Sequence, residues 1–240
     1  PLNIREAARR HGWDNLAIYW TEWGVSSTHF KMINDSVFGA PFILHGMKHA
    51  QRRVDALAYW VVSDHFEELG RPQRLFHGGF GLLTIGNLRK PRFWAIALAE
   101  QLGPNAVSVE LDGDGAGALV DAWATRRANG AIHVLAWNGT LNHAAYLGNP
   151  LLTRRLQIHI TGLDAARYRP WLARVDETHS NIVAHWSGSD WPTAEEWERL
   201  RAADRLDEQP LPEVLPRDST VEFDLVLPMP GILRLRLEPD

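Results

Sequence analysis

The chain has 240 residues, enough for one large domain or two modest ones at roughly 150 residues per domain. A 45% hydrophobic and 22% charged composition with 14 prolines and 19 glycines excludes a disordered chain, and a net charge of −4 without like-sign runs leaves no footprint for nucleic acid. The absence of cysteine removes disulfides, thiolate metal sites and thiol nucleophiles together.

In chain order, Asn3 and Glu6 stand at capping-box spacing and predict a short helix over 4–11. Two apolar runs, LAIYWT at 16–21 and ALAYWVV at 56–62, have the length and two-sided apolarity of buried parallel strands. Between them, Val37, Ile43, Leu44, Met47 and Ala50 recur at helical spacing over about 36–53, with Pro41 in the first turn. Pro91 opens a further helix, PRFWAIALAEQL, which Gly103 and Pro104 stop. Beyond 104 the period changes to alternation: Val107 and Val109; Ile132, Val134 and Ala136; Leu156, Ile158 and Ile160; Val221, Phe223, Leu225 and Leu227. These predict half-buried antiparallel strands, with a hairpin at Ala128-Asn129-Gly130. Thr193 and Glu196 cap one helix reaching about Arg205, and the proline-rich 209–216 reads as a loop. A boundary near residue 104 therefore divides α/β material (1–104) from an all-β part (105–240). No apolar run approaches ~18 residues and no signal-peptide pattern opens the chain, so no membrane partner is expected.

In parallel α/β sheets, chemistry sits just beyond the carboxyl ends of strands. The first strand delivers Glu22 within Trp20-Thr21-Glu22-Trp23, and the second delivers Asp64, Glu67 and Glu68 within SDHFEE. Adjacent strands lie ~4.8 Å apart, so these side chains would share one cleft. Paired carboxyl groups are what glycoside hydrolysis needs, one ionised and one carrying a proton for the leaving oxygen. Eleven tryptophans supply flat apolar faces with N–H donors, as sugar clefts require.

The ordered segments WTEWGVSS, YWVVSDHFEE, FHGGFGLL and KPRFWAI, spanning 14–102, resemble the end of the catalytic barrel of glycoside hydrolase family 39, on its β-xylosidase branch. WATRR, VLAWNGT and the HSN at 179–181 resemble the β-sandwich that follows it. The resemblance implies the last two strands of a TIM (β/α)8 barrel at 1–104 and a β-sandwich accessory domain at 105–240. It makes Glu22 the nucleophile of a retaining glycosidase acting on β-xylosides or xylo-oligosaccharides, at the end of the seventh strand. Glu67 and Glu68 would contact sugar hydroxyls, Trp60 would form a platform under the ring, and Trp23, Asp64 and His77 would complete the substrate site. His77 would orient its loop by hydrogen bonding to backbone, while Gly78, Gly79 and Gly81 let the chain turn.

The family's acid/base glutamate lies in an upstream Asn-Glu-Pro, a motif that occurs nowhere in these 240 residues. The N-terminal barrel portion is thus the expected partner, with a xylose-containing saccharide as substrate. The exposed apolar strand edge otherwise demands self-association as a homo-oligomer. The competing class is a truncated, non-catalytic carbohydrate-binding or assembly module. No cofactor and no metal is expected: His45 and His49 have a metal-capable spacing but no third ligand, and Asp112-Gly113-Asp114-Gly115 lacks the distal glutamate of a calcium loop. Ser63 and Asp64 are adjacent without a nucleophile elbow, which excludes an acyl-transfer reading.

Overall fold

A computed structural model describes residues 2–65 and 70–240. Helix α1 (Leu2–Arg10) precedes strand β1 (Tyr19–Trp23), helix α2 (Gly39–Ala50), strand β2 (Ala56–Tyr59) and helix α3 (Pro91–Glu100). Pro91 opens α3 as the sequence predicts, its fixed φ suiting the first helical position. Asn3 lies inside α1 and cannot cap it, so the predicted capping box is absent there. The strand–helix–strand unit is present, and β1 pairs with β2 in parallel.

Beyond residue 104 follow β3 (Asn105–Val107), β4 (Val120–Arg126), β5 (Ile132–Asn138), β6 (Arg154–Ile160), β7 (Tyr168–Val175), β8 (Asp207–Pro210), β9 (Val221–Leu227) and β10 (Gly231–Pro239), with helix α4 (Ala194–Ala203) between β7 and β8. A six-stranded antiparallel sheet runs β3-β4-β5-β10-β7-β8, and β6 pairs with β9 in a second sheet. The predicted hairpin joins β4 to β5, with Gly130 at φ +83° donating to the Arg127 carbonyl. Thr193 accepts from the Glu196 N–H at 3.2 Å, as predicted. β6 and β9 alternate inward-facing and exposed residues, but β5 is buried on both faces because helices cover one side of the sheet and β6 and β9 the other. Val109 lies beyond β3, and Gln209 and Pro210, expected in a loop, end β8 on the sheet edge, where a missing N–H is tolerated.

The sheet's two faces are covered differently. Leu135 and Trp137 on β5, Ala173 and Val175 on β7 and Ile232 on β10 pack against Ala40, Ile43 and Leu44 of α2 and Trp94, Ala95 and Leu98 of α3. The intervening residues Ala136, Leu172 and Leu233 meet Leu156 and Ile158 of β6 and Leu225 and Leu227 of β9. The two-residue period of a strand produces this partition. Trp23 and Tyr59 pack onto the first cluster, so α2 and α3 form a layer shared by the β1–β2 pair and the large sheet. Among the described residues no helix is long and apolar enough to cross a membrane.

Candidate active site

β1 and β2 end at the same rim. Their register runs Tyr19↔Ala56, Trp20↔Leu57 and Trp23↔Tyr59, with an irregularity between Trp20 and Trp23. The Trp60 N–H extends the ladder to the Trp23 carbonyl at 2.7 Å. The two strand ends can approach because Gly24 has no side chain: a Cβ there would stand 3.2 Å from the Trp60 carbonyl oxygen.

Glu22 is exposed at this rim, and among the described residues its carboxylate has no hydrogen bond or ion pair. Its lone pairs are therefore open to a ligand. Trp23, the next residue, faces the helix layer instead. Its indole stacks on Phe42 with centroids 5.8 Å apart, meets Tyr59 edge-on at 6.1 Å, and rests on Gly46, where a Cβ would come within 2.1 Å of the ring. The wall of a sugar cleft expected of Trp23 is thus a core contact, the result of adjacent strand residues pointing to opposite faces. Trp60 is half-buried at the end of β2, and its peptide bond to Val61 is cis.

Asp64, expected at the sugar, is only 2% exposed. Its carboxylate accepts from the Gly81 N–H at 2.7 Å and from Lys90 at 2.6 Å. Lys90 also meets Asp35 at 2.6 Å, and Asp35 accepts from the Gly78 N–H at 2.6 Å. Arg92 donates to the carbonyls of Gly79 and Gly81 at 2.6 and 3.1 Å, and Asn34 to that of Gly78 at 3.0 Å. Two carboxylates and two cations thus form a buried set without net charge, the condition under which buried ions are tolerated. All of them grip the backbone of FHGGFG.

These bonds, and not His77, orient that loop. His77 is buried with its ring 5.9 Å from Phe30, and its Nδ1 has no hydrogen-bond partner. The glycines act in two ways. Gly78 has φ +75°, whereas Gly79 and Gly81 have ordinary backbone but no room: a Cβ would come within 2.5 Å of the Asp64 carboxylate and 2.3 Å of its amide nitrogen. Glu67 and Glu68 lie outside the described residues.

Asn34, Asp35, Lys90 and Arg92 are the residues sequence reasoning missed. One signal was available: two basic residues at the amino end of an apolar helix oppose its dipole, so they need counter-charges elsewhere. Away from the rim, His45 and His49 approach at 3.0 Å between Nε2 atoms, and burial, then His49, lowers the His45 pKa. No group of three metal-capable side chains occurs among the described residues. Asp114 pairs with Arg154 at 2.6 Å.

A free carboxylate at a parallel strand end, backed by helices, is suited to carbohydrate chemistry, and comparison with known proteins defines the class as glycoside hydrolase. The chain belongs to the glycosyl hydrolases family 39, whose sequence profile matches residues 3–216. It is 25% identical over 244 residues to a beta-xylosidase of Geobacillus stearothermophilus, covering 98% of this chain and 44% of that protein. A beta-xylosidase of Caldicellulosiruptor saccharolyticus is 28% identical over 218 residues, covering 89% and 43%. Among solved structures, the GH39 enzyme from Xanthomonas axonopodis pv. citri superposes with a TM-score of 0.83 at 25% identity, covering 99% of this chain and 48% of that one. A monomeric beta-xylosidase from Caulobacter crescentus CB15, at TM-score 0.80, 24% identity, 99% and 48% coverage, shares the fold. The chain spans about half the length of these relatives.

Proposed function

We propose that this chain is the carboxyl-terminal portion of a retaining β-xylosidase, with Glu22 as its nucleophile. Residues 1–104 are then the end of a (β/α)8 barrel, β1 and β2 being its seventh and eighth strands, and 105–240 a β-sandwich accessory domain. The observation that carries this reading is the unpaired, exposed carboxylate of Glu22 at the end of a parallel strand in a family 39 chain. Glu22 attacks the anomeric carbon to give a covalent glycosyl-enzyme, which water then hydrolyses. An acid/base carboxyl group outside these 240 residues protonates the leaving oxygen and later activates the water; retention sets it about 5–5.5 Å from Glu22. Trp60 serves as the platform under the sugar, and Glu67 and Glu68 contact its hydroxyls. Asp64, buried, shapes the neighbouring loop through the Gly81 N–H, and His77 is buried beside it.

The exposed Tyr19, Trp20 and Val62 support a partner that covers the two-stranded sheet, here the upstream barrel portion. In the complete enzyme, Glu22→Gln is expected to abolish hydrolysis of a nitrophenyl xyloside while circular dichroism stays unchanged; undiminished turnover overturns the assignment. Full xylosidase activity from a 27.1 kDa monomer would equally refute the need for an upstream portion.

The absence of Asn-Glu-Pro from the sequence favours one second reading, a non-catalytic carbohydrate-binding or assembly module. Finding Asn-Glu-Pro after an upstream strand selects the enzyme, and its absence there selects the module.

A further inference from the structure

Along β10 the residues facing the helix layer change character. Ile232 joins the apolar cluster, whereas Arg234, Arg236 and Glu238 follow at two-residue spacing where α3 has ended. Arg236 stands opposite both His133 on β5 and Trp171 on β7, with its guanidinium 5.3 Å over the Trp171 ring. A cavity of about 360 Å³ opens on this face, lined by Arg127, His133, Glu208, Arg234, Arg236 and Glu238.

Its polar groups are incompletely used. Arg234 donates to the side chains of Gln101 and Glu208, Arg236 to those of Glu238 and, at 3.5 Å, Glu208, and Arg127 to the Gln101 carbonyl at 2.5 Å. The Nε atoms of Arg234 and Arg236 and Nδ1 of His133 are nevertheless buried without a hydrogen-bond partner. Arg234 and His133, at 3% and 4% exposure, form a floor. Buried donors are normally satisfied, so the two unsatisfied arginine Nε–H groups beside one cavity mark the place of an acceptor. Three guanidinium groups against two carboxylates also leave one positive charge. The same imbalance acts on His133: burial first, then Arg234, Arg127 and Arg236, lower its pKa to about 4.

We propose that this cavity binds a small carboxylate monoanion, which accepts hydrogen bonds from the arginine nitrogens and neutralises the excess charge. A carboxylate suits both the single charge and the planar guanidinium fork. The site is independent of the glycosidase reading, since it lies on β5, β8 and β10, remote in the chain from Glu22.

The test titrates the full chain with acetate at constant ionic strength, with acetamide as the neutral isostere, and follows the His133 ring by NMR. At neutral pH, where acetate is ionised, it is expected to give a saturable shift of the His133 ring signals, whereas acetamide does not. Arg236→Gln should abolish saturation. If that variant fails to fold, Arg127→Gln at the rim should weaken binding about tenfold, the worth of one charge-assisted hydrogen bond. Equal responses to acetate and acetamide, a non-saturating response, or unchanged binding in the folded variant overturns the proposal. Tighter binding of inorganic phosphate than of acetate overturns the assignment to a monoanion.

Discussion

The rim loop and the large sheet are neighbours held by opposite means. The FHGGFG backbone is gripped by Asp35, Asp64, Lys90 and Arg92, whereas β5, β7 and β10 are held to α2 and α3 by leucine, isoleucine, alanine and tryptophan. Apolar packing is non-directional and tolerates repacking, so it fills a core but fixes an irregular backbone poorly. Charged hydrogen bonds are directional and set each carbonyl and amide in place. Loop shape beside a strand end is bought here with buried ions, and sheet stability with hydrocarbon.

The largest way to break this contrast is Lys90→Met. It leaves Asp35 and Asp64 buried without their shared cation, which costs about 3–5 kcal/mol. Urea unfolding should show that loss, and hydrogen exchange should quicken first at the Gly78 and Gly81 amides, which the two carboxylates hold. Equal quickening throughout β5 would mean that the loop and the sheet are not separately held. A smaller effect is expected from Gly46→Ala, whose methyl group would collide with Trp23. Overpacking of this kind costs about 1–3 kcal/mol, read as a lower urea midpoint. Tryptophan fluorescence should change with it, since the indole must leave its stack on Phe42.

His133 is one of the polar groups buried in the sheet, with Asn138 and Arg234, where hydrocarbon otherwise prevails. Its folded pKa, about 4, lies below the unfolded value of 6.5, so the unfolded chain takes up a proton first as pH falls. Its contribution is therefore fully present above about 6.5 and lost progressively down to about 4. Urea midpoints measured across that window should fall for the parent chain and fall less for His133→Gln. Parallel curves would mean that His133 is not the group responsible.

What the sequence made legible follows from how local each signal is. The two strands at 16–21 and 56–62, the helix opened by Pro91 and the hairpin at Gly130 each rest on a local period or turn residue, and all are present, with strand ends shifted by a few residues. β10 was not named although Leu233, Leu235 and Leu237 alternate with Arg234 and Arg236 as in a half-buried strand; what that pattern does not tell is that the fold buries Arg234 and half-buries Arg236. The rim was legible at the strand end that carries Glu22; its glycines, expected to let the chain turn, do so at Gly78, while Gly79 and Gly81 instead admit close approach. It was not legible at Asp35 and Lys90, 55 positions apart, because a buried ion pair leaves no local period. Trp23 was misplaced for a third reason: the WTEW string does not say which tryptophan shares a face with the glutamate.

The two capping signals give the smallest and sharpest test of locality. Asn3 with Glu6 and Thr193 with Glu196 have the same spacing, yet only Thr193 caps, accepting from the Glu196 N–H. Spacing alone cannot distinguish them, because a cap also needs its own residue outside the helix in extended backbone, as Thr193 is at φ −66° and ψ 168°. Thr193→Ala should cost about 1 kcal/mol in urea unfolding. Asn3→Ala, a change inside a helix, should instead be neutral or raise stability by a few tenths, about the difference in helix propensity. A loss at Asn3 as large as that at Thr193 would show that Asn3 caps a helix beginning at residue 4 in solution, as its sequence predicts.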